Sequence, residues 1–180
     1  AQNDINRAVA TLGTAITSSH VERLFKTSEH IVFCFDGDSA GRNAAWKALE
    51  ISLPAIQESR RVDFLFLPQG HDPDSMVREK GKAGFEEMIG SAQSISDYFF
   101  EHLSSNLDLS NRDSLSRFIE QCRPHLQKMP DTSLRNLMFA ELAKLTRFKL
   151  GNEKQLEKQI LQNEPLQKQS PVTIKQRTPI

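Results

Sequence analysis

Two acidic pairs stand out by residue type and spacing. Asp36 and Asp38 flank Gly37 in "FDGDSAGR", and Asp72 and Asp74 flank Pro73 in "GHDPDS". Carboxylates are hard, oxygen-only ligands of the kind that suit Mg²⁺ or Mn²⁺. Residues i and i+2 of an extended chain share a face, and Gly37 leaves the space between its two neighbours open. Four carboxylates converging on one place would repel one another, and bound cations would relieve that repulsion. Each pair also has an ordinary reading, because Asp-Gly is common in turns and Asp before Pro opens helices. The metal reading therefore rests on where the two pairs fall together. Arg42 sits in the first turn of an expected helix, where the helix dipole disfavours a cation. It points to a phosphate or carboxylate partner, a simple salt bridge included. Gly13 and Thr14 in "ATLGTA" are candidates to bring backbone N–H groups up to a phosphate. His71 adjoins the second pair and reads as an exposed loop histidine.

The first acidic stretch also contains "GDSAG", which invites a reading of Ser39 as a nucleophile. Glycines at 37 and 41 around Ser39, between a strand and a helix, imitate a hydrolase elbow. That chemistry needs an acid and a histidine on separate later loops that follow strands. The later sequence offers Asp72, Asp74 and His71 on one loop, followed only by helical patterns. The serine reading fails on that placement.

The elements that must position these residues alternate. "RAVATL" (7–12) reads as a strand, and "SSHVERLFKT" (18–27) as a helix capped by Ser18 or Ser19. "HIVFCF" (30–35) is a continuous apolar run, as in a strand buried on both faces of a parallel sheet. Residues 39–53 repeat apolar positions at helical spacing up to Pro54. "VDFLFLP" (62–68) is a third strand, and 72–81 a short helix with Asp72 at N-cap, Pro73 at N1 and Gly81 past its end. The pattern βαβαβα predicts an α/β fold with a parallel sheet and right-handed crossovers. In such sheets ligands bind beyond the carboxyl ends of the strands, and both acidic pairs fall there.

After residue 82 the strand signal ends. Residues 83–103, in two pieces around Gly90 and Ser91, then 112–129 up to a disturbance at Pro124, then 132–148 and 152–162 read as amphipathic helices. In the third of these, Leu134, Leu137, Met138, Leu142 and Leu145 form one stripe, while Trp46, Phe99 and Phe100 read as core. From Pro165 the chain carries three prolines, much Gln and Lys and no aromatic residue, and reads as a disordered linker. The expected division is 1–82, 83–163 and 164–180.

Composition narrows the function classes. The chain has 180 residues, 38% of them hydrophobic, with 23 Lys+Arg against 23 Asp+Glu. Zero net charge supplies no general attraction for nucleic acid, so any such binding needs local patches. Cys34 and Cys122 lie far apart and form no C-x-x-C, which argues against a structural zinc site or disulfide scaffold and fits a reducing cytoplasm. There is no apolar run long enough to read as a membrane span. The start "AQNDINRAVATLG" reads as a cut inside a domain.

The stretches "VATLGTA", "IVFCFDGDSAGRNAAWKALE", "FLFLPQGHDPDSMVREKG" and "FEEMI" resemble the bacterial DnaG-type DNA primase family, over residues 6 to 103. The fold implied is a partial Toprim domain followed by a helical subdomain. The activity implied is synthesis of short RNA primers on single-stranded DNA from ribonucleoside triphosphates, using Mg²⁺ or Mn²⁺, in the bacterial cytoplasm at the replication fork. By the resemblance, Asp36 and Asp38 match the family's D-x-D metal ligands and catalytic acids, and Asp72 and Asp74 its second acidic pair at the metal site. The family's catalytic glutamate belongs upstream of "AVATLGT", and neither Asp4 nor Glu22 takes its place. Zinc is expected only in an N-terminal domain outside this chain, and a replicative helicase is expected to bind beyond residue 180. The expectation is a monomeric piece that binds divalent ions weakly and makes no primers. Another Toprim enzyme, a topoisomerase or nuclease, would need a nucleophilic tyrosine or its own acid set. Tyr98 is the only tyrosine, and it lies on an apolar stretch read as core. A phospho-receiver module would need a lysine at the end of a later strand, and none is read.

Overall fold

The structure is a computed structural model that describes residues 5, 7–10, 16–146 and 153–162; for residues 153 and 155 only the backbone is described. A three-stranded sheet in the order β1-β2-β3 stands at its centre. Helix α1 (Ser18–Phe25) leads to β1 (His30–Phe35), α2 (Ser39–Ser52) and a 3₁₀ turn at Leu53–Ala55 that absorbs Pro54. Next come β2 (Arg61–Phe66) and α3 (Pro73–Gly90), then β3 (Gln93–Ser94) and α4 (Ile95–Ser104). Helices α5 (Arg112–Leu126), α6 (Ser133–Leu145) and α7 (Glu153–Leu161) complete the described chain.

β1 and β2 run parallel in register from His30↔Arg61 to Phe35↔Phe66. Their continuous apolar sequences follow from burial on both faces. Ile31, Phe33, Val62 and Phe64 face the larger core, with Ala45, Ala48 and Leu49 of α2 and Tyr98 and Phe99 of α4. Val32, Cys34, Leu65 and Leu67 face the other way, against Met76, Val77 and Phe85 of α3. The sheet is thus sandwiched between α3 on one face and the remaining helices on the other.

Three expectations change. Residues 7–10, the described part of the expected strand 7–12, are exposed and pair with nothing in the sheet. Val9, the one large apolar residue among them, is 75% exposed, so this stretch buries too little to dock. The sheet is mixed rather than all parallel, because β3 pairs antiparallel with β2 through Asp63↔Ser94 and Phe64↔Gln93. Two polar residues carry no periodic signal, so β3 was invisible to pattern reading. Helix α1 is capped by Thr17, not Ser18 or Ser19: the Thr17 hydroxyl accepts from the His20 N–H.

Glycine behaves as expected at Gly81, whose φ of 69° bends α3 into two pieces. The helix resumes after that bend and runs through residue 82 to Gly90. Pro124 does not stop α5, which continues to Leu126. In α6 the buried residues are Met138, Phe139, Leu142 and Ala143, and Leu137 is turned out, 66% exposed. The expected stripe otherwise holds, with Met138 and Leu142 buried and Leu134 and Leu145 packed partly buried against the core, and Phe139 takes the place expected of Leu137. Residues 163–180, including the expected linker, lie outside the described residues.

The later helices belong to the same hydrophobic core as the sheet: Phe118, Leu126, Leu142 and Leu156 join Phe64 and Leu49 in one cluster. Polar contacts fasten the seam. Glu58 accepts from the Ser133 N–H at 2.9 Å, placing a carboxylate at the N-terminus of α6. Trp46 of α2 stacks on His102 of α4 at 4.1 Å and meets His125 of α5 edge-on at 5.1 Å. Burial lowers the pKa of both imidazoles and so favours their neutral forms.

Candidate metal centre

The turn after β1 is built by close approach. A Cβ at Gly37 would lie 2.2 Å from the Leu67 carbonyl oxygen, and one at Gly41 would lie 2.0 Å from the Asp36 carbonyl oxygen. Both glycines are thus required by space. Gly41 lets the first turn of α2 fold back on the end of β1. Gly37 lets that turn lie against the residue following β2. The Leu67 N–H donates to the Phe35 carbonyl at 2.9 Å, so the parallel pairing continues to the point where the two loops part.

Both acidic loops therefore leave the carboxyl edge of the sheet side by side. Asp38 is the N-cap of α2, and its Oδ1 accepts from the Gly41 N–H at 2.7 Å. Asp72 is the N-cap of α3 in a capping box: its Oδ1 accepts from the Ser75 N–H at 2.7 Å, and its own N–H donates to the Ser75 hydroxyl. Those Ser75 hydrogen bonds, more than the nearby Arg78 charge, hold the Asp72 carboxyl below its ordinary pKa. Asp74 pairs with Arg78 one turn along α3. Asp36 makes no side-chain hydrogen bond or ion pair among the described residues. All four carboxylates are exposed.

The ordinary and functional readings of each pair thus coexist. Capping uses one oxygen each of Asp38 and Asp72 and leaves the other for a ligand. Among the described residues, no three His, Cys, Asp or Glu side chains come together closely enough to hold a metal ion. Mg²⁺ is usually held by one or two carboxylates plus water and substrate phosphates, so an oxygen-only edge of this kind fits it without a closed cage.

The other candidates are placed as follows. Gly13 and Thr14 lie outside the described residues. The Arg42 guanidinium stands 4.9 Å from the centre of the Phe66 ring, a cation–π contact, with no carboxylate partner among the described residues. Ser39 is the exposed first residue of α2 and has no hydrogen-bonded histidine or acid among the described residues. His71 is half-buried, its Nδ1 3.7 Å from Glu79. Tyr98 is 2% exposed, and its hydroxyl donates to the Arg42 carbonyl at 3.1 Å, which suits packing and not attack on a substrate. Sequence reasoning missed Arg78; the signal was available in the i,i+4 spacing from Asp74.

Comparison with known proteins bears on the family and the fold. Residues 1–77 match the Toprim-like family, and residues 96–151 match the DnaB-helicase binding domain of primase. A DNA primase of Legionella pneumophila is 45% identical over 146 residues, which is 81% of this chain and 25% of that protein. The chain belongs to the bacterial DnaG-type primase family. A solved DnaG catalytic core superposes with a TM-score of 0.82 at 38% identity, covering 86% of this chain and 49% of that one. A DnaG primase catalytic domain bound to single-stranded DNA gives a TM-score of 0.81 at 38% identity, over 86% of this chain and 48% of that one. The chain spans about a quarter of the length of the curated primase it matches. The match to the helicase-binding model falls on α4 to α6, whereas the sequence reading put helicase contact beyond residue 180.

Proposed function

We propose that this chain carries the divalent-cation edge of a DNA primase, an RNA polymerase that joins ribonucleoside triphosphates into short primers on single-stranded DNA. The observation that carries the reading is the abutment of the two acidic loops at the carboxyl ends of β1 and β2, with Gly37 against Leu67. Mg²⁺ or Mn²⁺ held at this edge would supply neutralisation of the charge that develops during nucleotidyl transfer. Asp36 and Asp38 are the residues placed to hold it, with Asp72 and Asp74 as the second pair. Gly37 and Gly41 fix the backbone from which the first pair projects. Arg42, in the first turn of α2 beside Asp38, is placed to meet a phosphate. In this reading residues 1–82 carry the chemistry and 83–163 form the helical part.

The template assignment is supported by the relative solved with single-stranded DNA. Partnership with a replicative helicase is supported by the match over 96–151, which draws the expected contact onto the described helices. No helix among the described residues is long and apolar enough to cross a membrane, and a bacterial cytoplasmic location at the replication fork follows from the function proposed. A topoisomerase or nuclease is not favoured by these relatives, nor by the buried, hydrogen-bonded Tyr98.

Calorimetric titration of Mn²⁺ tests the edge. Asp36→Asn combined with Asp38→Asn should weaken the tightest binding at least about tenfold, because these carboxylates supply its protein oxygens. Unchanged affinity would place the ion elsewhere.

A further inference from the structure

The four carboxylates are unequally provided for. Asp36 has no polar partner among the described residues, while Asp38 and Asp72 each give one oxygen to a helix N–H. Among the described residues, Asp74 is the one of the four that holds a cation, Arg78. The Arg78 charge also reaches Asp72, where it adds a smaller part to the lowering caused by Ser75. The second acidic pair is thus answered by a positive charge from its own helix, and the first is not. The Asp74–Arg78 pair is open to water, with Arg78 71% and Asp74 48% exposed. Exposed i,i+4 pairs hold weakly, so little opposes their exchange for a doubly charged ion.

We propose that Arg78 is an exchangeable counter-ion of the acidic edge, holding Asp74 until a divalent cation displaces it. The proposal rests on the reading of this edge as a metal centre and adds an order to its filling. The pair Asp36 and Asp38 takes the tighter ion. Asp72 and Asp74 take a weaker one, because that ion must first displace a guanidinium.

The test is a titration of the whole chain with Mn²⁺ at low ionic strength, with free ion followed by electron paramagnetic resonance. Wild type should show a tighter and a weaker class of site. Arg78→Gln should tighten the weaker class about two- to fivefold, the scale of losing one exposed pair and one nearby charge. Arg78→Lys, which keeps the charge, should stay within about twofold of wild type. Combining Asp74→Asn with Arg78→Gln should abolish the gain. Circular dichroism checks that α3 is intact in each variant. Weaker-class affinity that is unchanged or lower in Arg78→Gln overturns the exchange, while the tighter class, still lost in the Asp36/Asp38 double variant, keeps the metal centre. Absence of Mn²⁺ binding to wild type overturns both.

Discussion

The same sheet carries aspartates at its two ends in opposite circumstances. At the amino end Asp63 is 1% exposed and fully answered. His30 Nε2 and Arg61 Nη2 each stand 2.8 Å from its Oδ2, and Arg61 Nε donates to its Oδ1 at 3.1 Å. At the carboxyl end Asp36, Asp38, Asp72 and Asp74 are exposed, and among the described residues only Asp74 has a cation. Desolvation explains the first arrangement, since a buried carboxylate must be paired and hydrogen-bonded to be tolerated. Folding uses only part of the second: Asp38 and Asp72 each give one oxygen to a helix cap, and Asp36 has no polar partner among the described residues. Four carboxylates stand on two neighbouring loops, each open to water. Charge placed without a structural need is the stronger sign of a ligand, and here it lies on the edge where α/β sheets bind theirs.

The comparison is broken most directly at the amino end. Replacing His30 and Arg61 together with alanine leaves Asp63 buried and alone. The expected loss is about 3 kcal/mol of unfolding free energy, the scale of an uncompensated buried charge, read from urea denaturation. Asp63→Ala should cost less, because His30 and Arg61 are largely exposed and turn to water when their partner is gone. Equal, small losses from both variants would mean that Asp63 is as dispensable to the fold as the edge carboxylates, and the contrast would fall.

A middle-sized effect belongs to the backbone beneath the edge. At Gly41 a Cβ would sit 2.0 Å from the Asp36 carbonyl oxygen, so Gly41→Ala must push the acidic turn away from α2. Overpacking of this kind costs about 2 kcal/mol, and the displaced Asp36 should bind Mn²⁺ more weakly as well. Gly90→Ala is the control, since nothing lies within 4 Å of a Cβ there; it should leave thermal stability and Mn²⁺ affinity unchanged or slightly raised. A harmless Gly41→Ala would show that the turn is not held by close approach.

The carboxyl end was the more legible of the two in sequence. Run length and flanking turns marked His30–Phe35 as a strand to the residue, and Asp72 with Pro73 announced the start of α3. Placement after two buried runs was enough to put both acidic loops at the carboxyl edge of the sheet. The amino end was read only as part of a strand. "VDFLFLP" shows one polar residue in an apolar run; Arg61 shares its face by i,i+2 spacing on the same strand, but its partner His30 is fixed by register, which only the pairing of β1 with β2 supplies. Gly37 and Gly41 had visible identities but hidden reasons. Their necessity comes from Leu67, on another strand end, and from the Asp36 carbonyl, a backbone atom brought near by folding. Local signals thus carried the elements and the edge, while contacts across strands and helices carried everything that secures them.

The smallest expected change is the sharpest for the comparison. Asp36→Asn with Asp38→Asn removes two negative charges from the edge. Asparagine caps a helix about as well as aspartate, so the hydrogen bond to the Gly41 N–H survives. No cation loses a partner among the described residues. Unfolding free energy should therefore stay within about 0.5 kcal/mol of wild type, the range of surface changes that break no specific structure. A loss above about 1 kcal/mol would make these carboxylates structural after all, close in kind to Asp63. A stable double variant that has lost only the tighter class of Mn²⁺ site separates the two ends of the sheet: one aspartate held by the fold, and a pair held by the fold for something else.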